Sequence, residues 1–90
     1  MLIPPKFTLG AIEWKVKIVD DLPDRMGQSD AKTATIFLEK NPNKQILAQT
    51  FVHELIHALF FSTGRTEEHD EVLVDGLAHQ LHQYLEEIYE

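Results

Sequence analysis

Apolar and polar residues alternate through most of the first half of the chain. The clearest alternation covers residues 12–18 and predicts a strand with one buried face. Residues 6–9 alternate too, and Gly10-Ala11 offers a two-residue turn with glycine first, so the two segments predict a hairpin. A weak pattern at residues 26–30 and a clearer one at residues 35–40 add further candidates. We therefore expect a small antiparallel sheet of three or four strands.

The pattern changes at Asn41-Pro42, where asparagine suits a helix N-cap and proline the first helical position. The predicted helix runs to about Ser62, and Gly64 suits the position just past its end. Because this helix is apolar around most of its circumference after Thr50, other elements should cover it on more than one side.

A second helix is predicted from Glu67 to about Tyr89, with Thr66 as its cap. Its apolar stripe comprises Val74, Leu77, Ala78, Leu81, Leu85 and Ile88. The fold class that follows is α+β, a single domain over residues 1–90 with the sheet first and two packed helices after it.

Composition narrows the classes of function and compartment. The chain has 90 residues, no cysteine and a net charge of −7. Nucleic-acid binding is disfavoured because it relies on lysine and arginine, and thiolate metal sites are excluded. No apolar run has the length of a membrane span and no signal peptide is recognisable, so we expect a cytoplasmic protein.

The candidate chemistry lies in the first helix, at His53-Glu54-Leu55-Ile56-His57. Residues four apart share a helix face, so His53 and His57 can direct two imidazoles at one divalent metal, most often zinc. Glu54 is placed to act as general base on a zinc-bound water. A lone histidine would more often be a core residue, but two histidines and a glutamate in an apolar helix are costly to bury without a metal.

A catalytic zinc usually has three protein ligands, so the second helix should supply one. The candidates are the acids Asp70, Glu71 and Asp75 and the histidines His69, His79 and His82. We favour Glu71, because it begins the stripe that faces the first helix. Asp75, one turn later, can support a ligand histidine or can be a solvated acid.

The three histidines of the second helix are assigned other positions. His69 is expected to face solvent. His79 and His82 flank the apolar stripe, and either can be a surface residue or can stabilise an oxyanion.

The pattern His53-Glu54-x-x-His57 followed by Glu71-x-x-x-Asp75 resembles the gluzincin zinc peptidases. The architecture looks like that of short phage- and prophage-encoded metallopeptidase-like proteins, distantly similar to the ImmA/IrrE and SprT-like families. The resemblance implies that both histidines and Glu71 bind Zn²⁺, that Glu54 is the base, and that Asp75 supports a histidine. It also implies that an extended substrate pairs with an edge strand, for which residues 35–39 are the candidate.

The predicted function is hydrolysis of a peptide or protein substrate by a zinc-dependent peptidase. The alternative is a small zinc-binding regulatory or interaction protein with little turnover. Glu54 argues against the alternative, because a purely structural metal site needs no base.

Overall fold

A sheet followed by two helices makes up the fold, in a computed structural model that describes residues 1–64 and 69–88. The strands are β1 (Lys6–Leu9), β2 (Ile12–Val19), β3 (Gly27–Asp30) and β4 (Thr35–Glu39). The helices are α1 (Lys44–Ser62) and α2 (Glu71–Ile88). The expected α+β class and order of elements are confirmed.

Strands β1 and β2 form the predicted hairpin. Leu9 pairs with Ile12, and the two residues between them, Gly10 and Ala11, have φ angles of 53° and 67°. Positive φ at both central positions is the conformation whose twist matches that of the flanking strands.

The sheet is mixed, and the prediction of an antiparallel sheet is wrong for its central pair. The strand order is β1-β2-β4-β3, with β2 and β4 parallel and the other two pairs antiparallel. Strand β4 is the most apolar of the later strands, and its Ile36 and Leu38 are fully buried. It therefore takes the centre, and the polar strand β3 is left at the edge, where unpaired backbone meets water.

Helix α1 lies between the sheet and α2, which gives it the two covered sides that its apolar sequence predicts. Ile36, Leu38 and Trp14 pack into one core with Phe51 and Val52 of α1. The buried face of β2 is confined to its middle, because Ile12 and Ile18 at its ends are 57% and 54% exposed.

Helix α1 begins later than predicted. Its N-cap is Asn43, whose Oδ1 accepts hydrogen bonds from the backbone N–H groups of Gln45 and Ile46 at 3.0 and 3.1 Å. Asn41 instead accepts the Asn43 N–H at 2.8 Å, so it shapes the turn before the helix. The end is as expected, since Gly64 follows the C-cap with a φ of 92°.

Helix α2 also begins later than predicted, at Glu71. Asp70 caps it by accepting the N–H groups of Val72 and Leu73 at 3.0 and 3.2 Å; the predicted cap Thr66 lies outside the described residues. Neither helix, over its described residues, is long and apolar enough to span a membrane.

The apolar stripe of α2 is narrower than its sequence predicts. Val74 and Ala78 are buried, whereas Leu77 and Ile88 are 44% and 49% exposed. His82 is buried in their place. Because α2 packs mainly against α1, the face that it buries spans less of the helix circumference than the stripe does.

Candidate metal and catalytic site

Helix α1 presents the two motif histidines side by side. The imidazole rings of His53 and His57 have centroids 5.2 Å apart, as expected for positions one turn apart. Their side chains are 21% and 15% exposed, so both rings reach the surface without extending into water.

The first turn of α2 brings Glu71 between these rings. One carboxylate oxygen lies 2.7 Å from His57 Nε2, and the other lies 3.5 Å from His53 Nε2. Ligand atoms of the three residues all fall within 4.8 Å of one another, so the group can hold a metal ion. Two imidazoles and a carboxylate form a donor set that suits zinc.

The outer nitrogens of both histidines have partners. His53 Nδ1 lies 3.2 Å from Asp75 Oδ1, one turn after Glu71 on α2. His57 Nδ1 lies 2.6 Å from His69 Nδ1. When Nδ1 carries the hydrogen, the Nε2 lone pair of each ring is available on the side where Glu71 lies.

The pKa of the His57 imidazole is lowered from its ordinary value. Desolvation lowers the pKa of its imidazole, while the neighbouring Glu71 carboxylate works in the opposite direction. A neutral imidazole is the form that binds a metal.

The Glu54 carboxyl group lies against strand β3. Glu54 is 7% exposed. The Ser29 hydroxyl of β3 lies 2.8 Å from the Glu54 Oε1 and 2.7 Å from the Glu54 backbone carbonyl oxygen. Burial raises the pKa of the Glu54 carboxyl, against the hydrogen bond from Ser29 and the nearby His53, which lower it. A carboxyl group with a raised pKa is a better proton acceptor than an ordinary surface glutamate.

Gly27 makes this approach of Glu54 possible. A Cβ atom at Gly27 would lie 2.8 Å from the Thr50 Cγ2 and 2.9 Å from the Glu54 Cγ. Carbon atoms do not approach so closely without a shift of the backbone or of the side chains. The absence of a side chain at Gly27 therefore leaves the space that the Glu54 side chain occupies.

The predicted oxyanion candidates lie apart from this cluster. His79 is exposed, and its Nδ1 lies 2.7 Å from the Asp75 backbone carbonyl oxygen. It does not line the groove beside His53, His57 and Glu71. His82 does line the groove, but its ring nitrogens lie 3.2 Å from Gln49 Oε1 and 3.1 Å from Glu86 Oε1.

Three residues of the site were missed or misplaced in the predictions from the sequence. His69 is half-buried against His57, so the expectation that it faces solvent is wrong. Gly27 and Ser29 gave only the weak signal of two small residues on one face of a poorly patterned strand. The position of His69, twelve residues after His57, carries no periodic signal because His57 lies in α1 and His69 lies in the connection that precedes α2.

An open groove of about 1210 Å³ runs past the cluster, lined among others by His53, Glu54, His57 and the strand residues 26–29. The arrangement thus places three residues that can hold a metal ion beside a buried carboxyl group at one accessible surface. Comparisons of the chain with protein-family models, curated proteins and solved structures return no match.

Proposed function

We propose that the protein is a zinc-dependent peptidase that hydrolyses a peptide or protein substrate. One observation carries the proposal: a buried glutamate with a raised pKa lies next to a two-histidine, one-carboxylate group in an open groove. A purely structural site has no use for an unligated buried carboxyl group, whose desolvation is costly. The resemblance to gluzincin peptidases in the spacing of these residues agrees with the proposal.

His53, His57 and Glu71 would hold the zinc ion. Bound there, the ion would supply Lewis-acid polarisation of the scissile carbonyl and lower the pKa of a water molecule. Asp75 and the outer nitrogen of His53 form a carboxylate–histidine pair that orients the ring.

Glu54 takes the part of general base. Its carboxylate accepts a proton from the attacking water, holds it while the tetrahedral adduct exists, and returns it to the leaving amine nitrogen. Ser29 can donate its hydroxyl hydrogen to the Glu54 carboxylate or to the Glu54 backbone carbonyl. This choice of acceptor allows Ser29 to accept a hydrogen bond from Glu54 when the carboxyl group is protonated.

The substrate would pair with β3 rather than with β4. The suggestion that residues 35–39 form the docking edge is wrong, because β4 lies between β2 and β3. The Met26 backbone carbonyl accepts the Glu39 N–H at 2.8 Å. In the antiparallel register, residues of β3 that hydrogen-bond to β4 then alternate with residues whose backbone groups point away from it. Backbone groups of Gly27 and Ser29 therefore point to the open edge, where an extended peptide can add a strand.

Replacement of Glu54 by glutamine tests the proposal. The purified protein is incubated with a mixed library of proteome-derived peptides, and new termini are counted by mass spectrometry. Glu54→Gln should retain zinc and the fold but reduce the rate of cleavage by about 10²-fold or more, the usual contribution of a general base. A chelator should stop the parent activity.

Glu87→Gln is the matched control, because it makes the same chemical change at an exposed residue of α2 outside the groove. It should leave cleavage unchanged. Full cleavage by zinc-loaded Glu54→Gln would contradict the catalytic role. A zinc-loaded parent that produces no new termini would favour a regulatory or interaction protein instead.

A further inference from the structure

The contact between His57 and His69 has the geometry of a hydrogen bond between two imidazoles. The ring planes differ by 19° and the centroids are 4.9 Å apart, while the two Nδ1 atoms are separated by 2.6 Å. Because the centroids are much farther apart than the two Nδ1 atoms, these nearly parallel rings meet edge to edge in a common plane and are not stacked face to face. An N–H bond on one ring then points along the lone pair of the other.

Only one of the two Nδ1 atoms can carry the hydrogen of this bond. If His57 donates, its Nδ1 is protonated and its Nε2 lone pair faces the Glu71 carboxylate oxygen 2.7 Å away, an arrangement that a metal ion bound by both groups would stabilise. If His69 donates, the His57 Nδ1 lone pair is engaged and a neutral His57 carries its hydrogen on Nε2, where Glu71 can accept it. Only the first arrangement leaves His57 able to bind a metal beside His53 and Glu71.

Aromatic rings at the end of α1 hold His69 in place. The ring of Phe60 packs edge-on against His69 with a centroid distance of 5.0 Å, and the ring of Phe61 lies at 4.8 Å. His69 immediately precedes Asp70, the cap of α2, and lies two residues before Glu71. The same contacts therefore set the His69 ring against His57 and the start of α2 beside the motif helix.

We propose that His69 is a positioning residue that accepts the Nδ1–H of His57 and thereby directs the His57 Nε2 lone pair to the metal. This inference rests on the proposed zinc site. His69 would act through His57 and not as a ligand, since its Nδ1 is taken up by His57 and it is not part of the metal group. His69 would support His57 as Asp75 supports His53, except that the acceptor is a neutral imidazole nitrogen and not a carboxylate.

The experiment is long-range ¹H–¹⁵N correlation NMR of the zinc-loaded, ¹⁵N-labelled protein, which reports the tautomer of each histidine. His57 should carry its hydrogen on Nδ1 and His69 on Nε2. A His57 that carries its hydrogen on Nε2, or a His69 that carries its own on Nδ1, would overturn the proposal without the use of any variant.

Two variants separate the hydrogen bond from packing. His69→Phe keeps a ring against Phe60 and Phe61 but has no acceptor, whereas His69→Asn keeps an acceptor near the Nδ1 position. In competition with a chelator, His69→Phe should bind zinc about 10–100-fold more weakly, the usual effect of losing a partner of a ligand histidine. His69→Asn should bind within about threefold of the parent.

Equal weakening in both variants would overturn the proposal, since it would show a packing role alone, and so would unchanged affinity in His69→Phe. These outcomes are distinct from failure of the proposed function. A parent that binds no zinc ends both proposals, whereas a parent that binds zinc and cleaves peptides with affinity independent of the residue at position 69 ends only this one.

Discussion

The two sides of the site are built differently. On one side, the Glu54 carboxyl group is buried between α1 and β3, fitted against Gly27 and hydrogen-bonded by Ser29. On the other side, Glu71 and Asp75 approach the histidines from α2 with side chains that are 63% and 61% exposed. Packing fixes the base, whereas exposed carboxylates on α2 reach the histidines by polar contacts at the surface.

This difference teaches which interactions each side depends on. Exposed ion pairs contribute little to stability, about 0–1 kcal/mol, so without a metal the ligand side is held mainly by the packing of α2 on α1. A metal ion would add the binding energy that fixes it. The base side needs no metal for its geometry, and it should therefore respond to changes of shape and not to chelation.

The largest expected effect is loss of zinc from the ligand side. Glu71→Ala should lower zinc affinity by more than about 10²-fold, because losing a direct ligand should exceed the 10–100-fold loss typical of its supporting partners. Asp75→Asn should weaken binding less than Glu71→Ala does. Both variants should keep the metal-free melting temperature of the parent within a few degrees, since the replaced carboxylates are exposed.

Zinc affinities of the variants are measured by chelator competition. Parent-like binding by Glu71→Ala together with a loss of binding in Asp75→Ala would mean that Asp75 is the ligand.

An intermediate effect is expected on the base side from an added methyl group. In Gly27→Ala, the new Cβ would collide with Thr50 and Glu54, so the carboxyl group must move. Overpacking of this kind costs about 1–3 kcal/mol of unfolding free energy. We expect cleavage to fall at least tenfold while zinc affinity stays within about threefold of the parent, because a displacement of about 1 Å at a catalytic group can cost as much as 10²-fold.

Gly76→Ala is the matched control for that change, because a Cβ at Gly76 on α2 would meet no atom within 4 Å. The same substitution there should raise stability by up to about 1 kcal/mol through helix propensity and leave cleavage unchanged. Parent-like cleavage by Gly27→Ala would show that close packing at β3 does not fix the base.

The smallest expected effect is on the pH dependence of stability in the metal-free protein. Burial raises the pKa of Glu54 above its ordinary value of 4.5, so the folded protein keeps a proton at pH values where the unfolded chain has lost it. The contribution of this group to stability is fully present below the unfolded pKa and is lost as pH rises through the folded pKa. Ionised Glu54 should therefore destabilise the fold at pH 7.

Glu54→Gln should accordingly raise the free energy of unfolding at pH 7 by about 1 kcal/mol, a typical size for one substitution. The gain should shrink toward zero as pH falls below 4.5, where Glu54 is protonated in both states. Urea unfolding at several pH values measures this difference in the free energy of unfolding, with Glu87→Gln as the exposed control. A metal-free parent more stable than Glu54→Gln at pH 7 would contradict the burial argument.

Local patterns in the sequence were enough to predict the elements and the motif. Two imidazoles one turn apart follow from helical periodicity, and the hairpin turn follows from Gly10-Ala11 between alternating strands. Both inferences depend on residues close together in the chain, where geometry is fixed by the backbone alone.

Features set by distant contacts were beyond the sequence. The central place of β4 depends on a comparison of burial among all strands, and the start of α2 depends on which of several polar residues becomes its cap. The contact of His69 with His57 arises from the way the chain returns to α1. None of these leaves a periodic trace in the sequence.

The most direct test of the central claim is a crystal structure of the zinc-loaded protein with anomalous diffraction measured on both sides of the zinc absorption edge. We expect one strong peak bonded to the His53 and His57 imidazoles and to the Glu71 carboxylate, with nitrogen–metal distances of about 2.0–2.1 Å. The Glu54 carboxylate should lie beside the peak without bonding to it. A peak bonded to Glu54, or the absence of a peak at these three residues, would contradict the account.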